Sequence, residues 1–323
     1  MLYFRFPFSD EIFTTDDSSA QNAVSFVSFD GLNELNFKGE IKEVPRDTFL
    51  AQGNSMKTTA SKLCVFRPET KKDYEQKINK VINFVKNENL SKLVISRRKL
   101  VSYEGSKPNF SKTFLNLCEA YPNAFVYFFT KNNQSWMGAF SEVLGSFNKK
   151  TLEFETMSLA GTTQIDETWT RKELAEQRHV TDYISNILKD YSVDVTKSET
   201  YDHPSGNIKH LRTDFKAKIK SQDLEKIIAE LHPTPAVCGF PKKFCQQAIA
   251  KFEEHRRSFY AGYIKVETAE TIQYFVNLRC AEFFQNVALI YVGGGITAES
   301  SSEKEWQETE LKAEAILKNL SFF

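Results

Sequence analysis

The sequence predicts an α+β fold, on three observations. Strand-like segments gather in antiparallel runs with helices inserted between them, instead of alternating regularly as in a parallel βαβ fold. Phenylalanine is abundant, at 28 of 323 residues, which suits a large interior built from half-buried pleated surfaces. The connections are too short to mark a boundary, so one domain over residues 1–323 is expected.

In chain order, Val24–Phe29 and Leu35–Phe37 read as short strands, and QGNSMKTTAS (52–61) as an exposed polar loop. Residues 69–89 carry apolar side chains at helical spacing through Tyr74, Ile78, Val81, Ile82 and Val85. A strand opens at Lys92 and runs through Leu100, with Leu93 and Ile95 on the face opposite Lys92 and Ser96. A helix over 110–120 precedes the strand Asn123–Phe129. Trp136–Phe147 reads as strand–turn–strand with Glu142 alone among apolar neighbours. Residues 151–159 form another strand ending in LAGTT. Helices are predicted at 168–190 and 221–231, separated by polar connections, and at 242–254 after the His232-Pro-Thr-Pro turn. Phe259–Val266 should pair with Ile272–Arg279, and that strand in turn with Val287–Val292 through a turn at Gln285-Asn286. Gly293–Gly295 is expected as a turn that opens the C-terminal helix, with Ser300–Ser302 offering capping-box spacings to Glu303 and Glu305. On that helix Glu305, Glu308 and Lys312 share one arc. Trp306, Ala313, Leu317 and Leu320 form an apolar stripe beside it, and Glu310, Glu314 and Lys318 face solvent.

Basic and acidic residues balance at 42 each, so no global field draws in nucleic acid or an anionic membrane. A small anion would have to be met by locally placed cations. The five cysteines are scattered without CxxC spacing, which supports neither a disulfide framework nor a zinc site and fits a reducing cytoplasm. The first residues lack the basic and apolar regions of a signal peptide, and no apolar run approaches the length of a membrane span.

Each candidate residue has a bland and a functional reading. Glu305, Glu308 and Lys312 are either a solvated face with weak ion pairs or a hard-cation site beside an anion site. Lys92 is either a snorkelling strand-end lysine or a general base held in a cleft. Glu142 is either a hydrogen-bonded turn carboxylate or a general acid kept protonated by desolvation. Glu176 lies on the 168–190 helix, where a solvated face is the default; His179 has no second histidine at i+4 to make a zinc motif. Arg279 ends an apolar strand, where a carboxylate is the natural partner. His232 shapes a loop. The glycine triplet is neither GxGxxG nor a P-loop.

Taken together, the order Tyr260-Ala-Gly262, Arg279, GGGI, Glu305-Trp-Gln-Glu308-Thr and Lys312 resembles the chorismate-utilising enzymes over about residues 90–320. The resemblance implies two large, mainly antiparallel sheets packed together with helices around them. It also implies a catalytic core at 90–320 behind a reduced N-terminal part at 1–60. It further implies Mg²⁺ held by Glu305, Glu308 and Glu176, and a second substrate carboxylate held by Tyr260, Arg279, Gly293 and Lys312, with Thr162 lining the pocket. Lys92 matches the base of isochorismate and salicylate synthases, and Glu142 the acid that protonates the departing 4-hydroxyl. Ala160 stands where aminodeoxychorismate synthases carry a lysine, and Leu231-His-Pro-Thr-Pro-Ala-Val-Cys-Gly-Phe-Pro has the isochorismate-synthase form. The implied activity is isomerisation of chorismate to isochorismate for menaquinone or a siderophore, without a glutaminase subunit. A salicylate synthase and a non-catalytic chorismate-binding relative are the alternatives. Ser141 replaces a frequent proline, Gln177 a frequent histidine and Lys265 a frequent glycine.

Overall fold

A computed structural model of the chain describes residues 1–53, 56–103, 105–205 and 208–323. Among them, two nine-stranded sheets are formed. The first runs, edge to edge, Gly239–Phe240, Lys92–Ser102, Val287–Ile296, Cys280–Phe283, Gln134–Phe140, Phe125–Lys131, Leu2–Arg5, Ile12–Thr15 and Ile41–Val44. The second runs Val195–Lys197, Ile208–Lys218, Glu153–Gln164, Val143–Asn148, Thr271–Val276, Tyr263–Glu267, Asn22–Val27 and Glu34–Lys38, with Tyr201–Ser205 also paired to Ile208–Lys218. Every pairing is antiparallel, so the α+β class with two packed sheets holds.

The strand Phe125–Lys131 shows why the sheets pack. Alternate side chains point to opposite faces of a strand. Phe125, Tyr127 and Phe129 enter the core between the sheets, whereas Val126 and Phe128 enter a second core. Phe26 of the second sheet lies 5.0 Å from the Tyr127 ring and 4.6 Å from that of Phe129, and Phe275 stacks on Phe125 at 4.5 Å. On the other face, Phe114 and Ile316, from the helices Phe110–Ala120 and Ser302–Leu317, cover the second core. Edge-to-face and offset aromatic pairs contribute about 0.5–1.5 kcal/mol each beyond their buried area, which accounts for the phenylalanine content.

Several expectations are corrected. Gly293–Gly295 is not a turn but the end of the strand Val287–Ile296. The glycines serve close approach: a Cβ on Gly293 would lie 2.9 Å from both the Ile95 carbonyl and the Tyr260 hydroxyl. The C-terminal helix has Ser301, within the expected serine run, at its N-cap, but no side-chain capping bond there; Ser300 Oγ donates to Glu305 Oε1 instead, at 2.7 Å. Glu310 does not face open solvent but binds Arg97 and Lys99. Trp306 lies under the Arg97 guanidinium, 3.9 Å from ring to Cζ. In the predicted loop at 52–61, Gln52 and Gly53 end a helix, Arg46–Gly53, while Met56 and Ala60 are buried; Asn54 and Ser55 lie outside the described residues. The strand Thr271–Val276 does not pair with Val287–Ile296. The chain leaves the second sheet at Asn277–Arg279, and Cys280–Phe283 makes that pairing in the first. The polar stretch after the helix Arg171–Tyr191, where connections are expected, contains three strands.

Candidate active site

The site forms where the chain passes between sheets. Ser141 and Glu142 join Gln134–Phe140 of the first sheet to Val143–Asn148 of the second, and Asn277–Arg279 makes the return crossing. The two crossings are tied together: Val276 N–H donates to Glu142 O at 3.0 Å and Ala139 N–H to Arg279 O at 3.2 Å. Both side chains therefore reach one cavity from fixed backbone. Arg279 adopts φ 44°, a left-handed conformation that costs a non-glycine residue energy and concentrates at functional sites.

That cavity is lined by Lys92, Glu142, Thr162, Glu176, Tyr260, Arg279, Gly293, Glu308 and Lys312, nine of the ten residues singled out from the sequence. Glu305 lies beneath its wall, buried below Gly294. At one end sit the hydrogen-bond donors. Lys312 Nζ donates to Gly293 O at 3.0 Å and to Glu308 Oε1 at 2.6 Å, and the Tyr260 hydroxyl lies over Gly293. Burial raises the Tyr260 phenol, so it stays a neutral donor.

His210 belongs to the same end and was not found from the sequence. Its Nδ1 lies 2.9 Å from Gly161 O and 3.2 Å from Thr162 Oγ1; its Nε2 lies 3.1 Å from an Arg279 guanidinium nitrogen. A carbonyl can only accept and a guanidinium can only donate. The proton must therefore sit on Nδ1 while Nε2 accepts. Burial, with the Arg279 charge adding, lowers this histidine to about 3, so the neutral form is the one present. Arg279, where a carboxylate partner is expected, makes this imidazole contact among its interactions.

At the other end, Lys92 opens the strand Lys92–Ser102 and is buried. Its ammonium binds the Glu176 carboxylate, which the helix Arg171–Tyr191 presents from across the cavity. Glu176 therefore does not lie on a solvated face. Glu142 is raised to about 7 by burial, against the pull of the Lys92 charge. It is thus substantially protonated at neutral pH, as a general acid must be.

The backbone of the Lys92 strand is held from behind. Its neighbour Gly239–Phe240 pairs with Leu93 and Lys92. The buried Arg257 donates to Val94 O at 2.8 Å and to Val237 O at 2.7 Å, and is neutralised by the equally buried Glu253 at 2.6 Å. The HPTPAVCGF segment, expected only as a turn, thus forms the edge that fixes the lysine. His232 within it is buried and contacts Phe29 O at 3.3 Å.

The three carboxylates implied for a cation are hard oxygen donors. Glu176 and Glu308 line the cavity, and a Cβ on Gly294 would meet Glu305 Oε2 at 2.9 Å and Glu308 Oε1 at 3.9 Å. Glycine there leaves room above both carboxylates, so the donor set fits a divalent cation by chemistry. Its arrangement is looser. Glu176 is turned to Lys92 and Glu308 to Lys312, and among the described residues no group of three or more His, Cys, Asp or Glu side chains stands together at ligand spacing. The departures are absorbed locally. Ser141 contacts His203 at 3.3 Å, Gln177 donates to Ser158 Oγ at 2.9 Å, and Lys265 binds Glu225 at 2.7 Å.

Two packed antiparallel sheets thus enclose a cavity that gathers Lys92, Arg279 and Lys312 with Glu176, Glu308 and the buried Glu142. Comparison with known sequences is consistent with this. The profile of the chorismate binding enzymes matches residues 32–321; the chain belongs to that family. It is 41% identical over 113 residues to a chloroplastic isochorismate synthase of Catharanthus roseus, covering 34% of this chain and 20% of that protein. It is 30% identical over 196 residues to isochorismate synthase EntC of Escherichia coli K12, covering 56% and 50%. The matched stretch thus spans half the length or less of these relatives. The fold of MenF, the menaquinone-specific isochorismate synthase from Escherichia coli, superposes with a TM-score of 0.78 at 20% identity, over 98% of this chain and 88% of that one. Anthranilate synthase component I from Streptococcus pneumoniae gives 0.68 at 22% identity, over 78% and 59%. Among the described residues no helix is long and apolar enough to cross a membrane.

Proposed function

We propose that this chain is a Mg²⁺-dependent isochorismate synthase, feeding menaquinone or a catecholate siderophore. The observation that carries the reading is the pairing of a base candidate, Lys92, with a buried acid, Glu142, raised to about 7, in the cavity that also holds the donors of Arg279, Tyr260 and Lys312. Named relatives of the same family support the substrate.

Chorismate carries two carboxylates, one on the ring and one on the pyruvyl ether. Arg279, Tyr260, Lys312 and the Gly293 backbone receive the ether carboxylate, with His210 orienting the guanidinium and Thr162 buttressing His210. Glu176, Glu305 and Glu308 would hold Mg²⁺, which when bound supplies a hard positive charge for the ring carboxylate. The ring then lies between Lys92 and Glu142. Lys92, in its free-amine form, takes a proton from the water that bonds to C2 and becomes the ammonium that pairs with Glu176. The ring double bonds shift, the C4–O bond breaks, and Glu142 gives its proton to the departing hydroxyl. One water enters and one leaves, so the net change is an isomerisation. General acid and base groups of this kind each contribute roughly 10²–10⁴-fold.

The test is incubation of the purified chain with chorismate and Mg²⁺, followed by chromatography of the products. Isochorismate is expected. Fluorescent salicylate from the protein alone would move the assignment to a salicylate synthase, and unchanged chorismate with intact folded protein would remove the enzyme reading.

A further inference from the structure

A second cavity lies behind the catalytic lysine. It is bounded by apolar side chains, including Leu90, Val180 and Ala298, and by polar or charged ones from Ser91, Arg171, His179, Thr297 and Glu299. It shares two lining residues with the cavity described above, Lys92 and Glu176. Because those two side chains are bound to each other, their ion pair is the partition between the chambers.

We propose that the second cavity is the inlet for the nucleophilic water, delivering it to Lys92 from the side opposite the substrate. The inference rests on the isochorismate synthase reading. With chorismate in place, its ring and two carboxylates stand between Lys92 and the mouth of the main cavity, so water arriving that way would have to pass the substrate. The second cavity reaches the lysine without crossing the ring. A water needs two to four polar partners to occupy such a space, and the Ser91 and Thr297 hydroxyls and the Glu299 carboxylate stand along the way. The Lys92–Glu176 pair then does two things: it holds the base at the partition, and it keeps the chambers separate except at the point where a proton is taken.

The experiment narrows the passage from two sides without touching the main cavity. Ala298→Phe, from the segment after the glycine strand, and Leu90→Trp, from the loop before the lysine strand, both add bulk to positions that are only partly buried. Each variant is checked by its melting transition, by Mg²⁺-dependent chorismate binding, and by kcat and KM for isochorismate formation. The expected result is a kcat lowered tenfold or more, with KM and the binding constant within about twofold of the unmodified chain. Undiminished kcat in either folded variant overturns the inlet, because water would then be arriving by the substrate's own mouth. Loss of chorismate binding in parallel with kcat in both variants also overturns it, because the second cavity would then be part of the substrate site. An unmodified chain that binds chorismate and yields no isochorismate fails at an earlier point, and removes the functional reading itself.

Discussion

Arg279 donates to Nε2 of His210 at 3.1 Å while Nδ1 of the same ring faces Gly161 O at 2.9 Å, and the two contacts together leave the imidazole one protonation state. His210 is a positioning group that aims the guanidinium. Replacing it with Asn, which can still accept but cannot span both contacts, should raise KM for chorismate about tenfold and change kcat less. Nitrogen NMR of the native ring should show the Nδ1–H tautomer, unchanged from pH 8 to pH 5.

Glu142 is raised to about 7 by burial. A carboxyl whose folded value exceeds its unfolded one binds more protons in the fold between the two values, so this group's contribution to stability falls as pH rises through that window. Glu142→Gln should therefore be more stable than the unmodified chain at pH 8, by at most about 3 kcal/mol at 1.36 kcal/mol per unit, and slower by roughly 10²–10⁴-fold. The native kcat should decline above about pH 7 as the acid is lost. Denaturant melts at pH 6 and pH 8 beside a rate profile check both.

Three histidines, His232 buried and His210 and His255 partly so, act in the opposite sense. Burial lowers His210 to about 3 and His232 and His255 to about 4. Between these values and the ordinary 6.5 the unfolded chain binds the extra protons, so stability is full above about pH 6.5 and falls as pH drops below it. Each group contributes on the order of 1 kcal/mol per pH unit within its window. Urea midpoints should fall steadily from pH 7 to pH 4. His232→Asn should lessen the slope if it folds, and a flat profile would contradict the burial of these rings.

Lys92→Ala removes the proposed base and leaves Arg279, Tyr260 and Lys312 at the other end of the cavity in place. Turnover should fall by roughly 10²–10⁴-fold, the range of one acid–base group, while Mg²⁺-dependent chorismate binding persists. Binding titrations followed by intrinsic fluorescence, read beside steady-state rates, separate the two. A variant with preserved rate would show that Lys92 is only the structural partner of Glu176.

How much of this was legible in the sequence depended on where each residue sits. The helix Phe110–Ala120 falls on its expected bounds, because its apolar face packs on one sheet and polar residues flank it. Lys92, Glu142 and Arg279 stood out because a charge inside an apolar run needs a reason. His210 did not, because its strand, Ile208–Lys218, lies near a sheet edge and carries charged residues on alternate positions. The apolar alternation Leu211, Phe215 and Ala217 is present, but Lys209, Arg212, Asp214 and Lys216 mask it. The crossings between sheets were invisible for another reason: a hairpin and a change of sheet have the same local sequence, and only the packing of Phe125 on Phe275 distinguishes them. The glycine triplet was located correctly but assigned the wrong cause, since a strand that must pass close to other groups needs absent Cβ atoms as much as a turn needs positive φ.

Gly294 offers the sharpest test of that last point and of the cation. Its Cβ would sit 2.9 Å from Glu305 Oε2, inside the range real Cβ atoms avoid, and Glu305 is buried with its other oxygen held by Ser300 at 2.7 Å. The carboxylate cannot simply swing into solvent. It must turn within a packed helix face, and Glu308 Oε1, 3.9 Å from the same Cβ, must share the displacement. Gly294→Ala should therefore leave the fold in place, at a cost of about 1–3 kcal/mol for overpacking, and raise the Mg²⁺ concentration for half-maximal activity tenfold or more. Calorimetric titration with Mg²⁺ alone gives a readout independent of turnover. If the variant binds Mg²⁺ as tightly as the native chain, the carboxylates beneath Gly294 do not hold the ion, and the cation site must be sought elsewhere along the cavity wall.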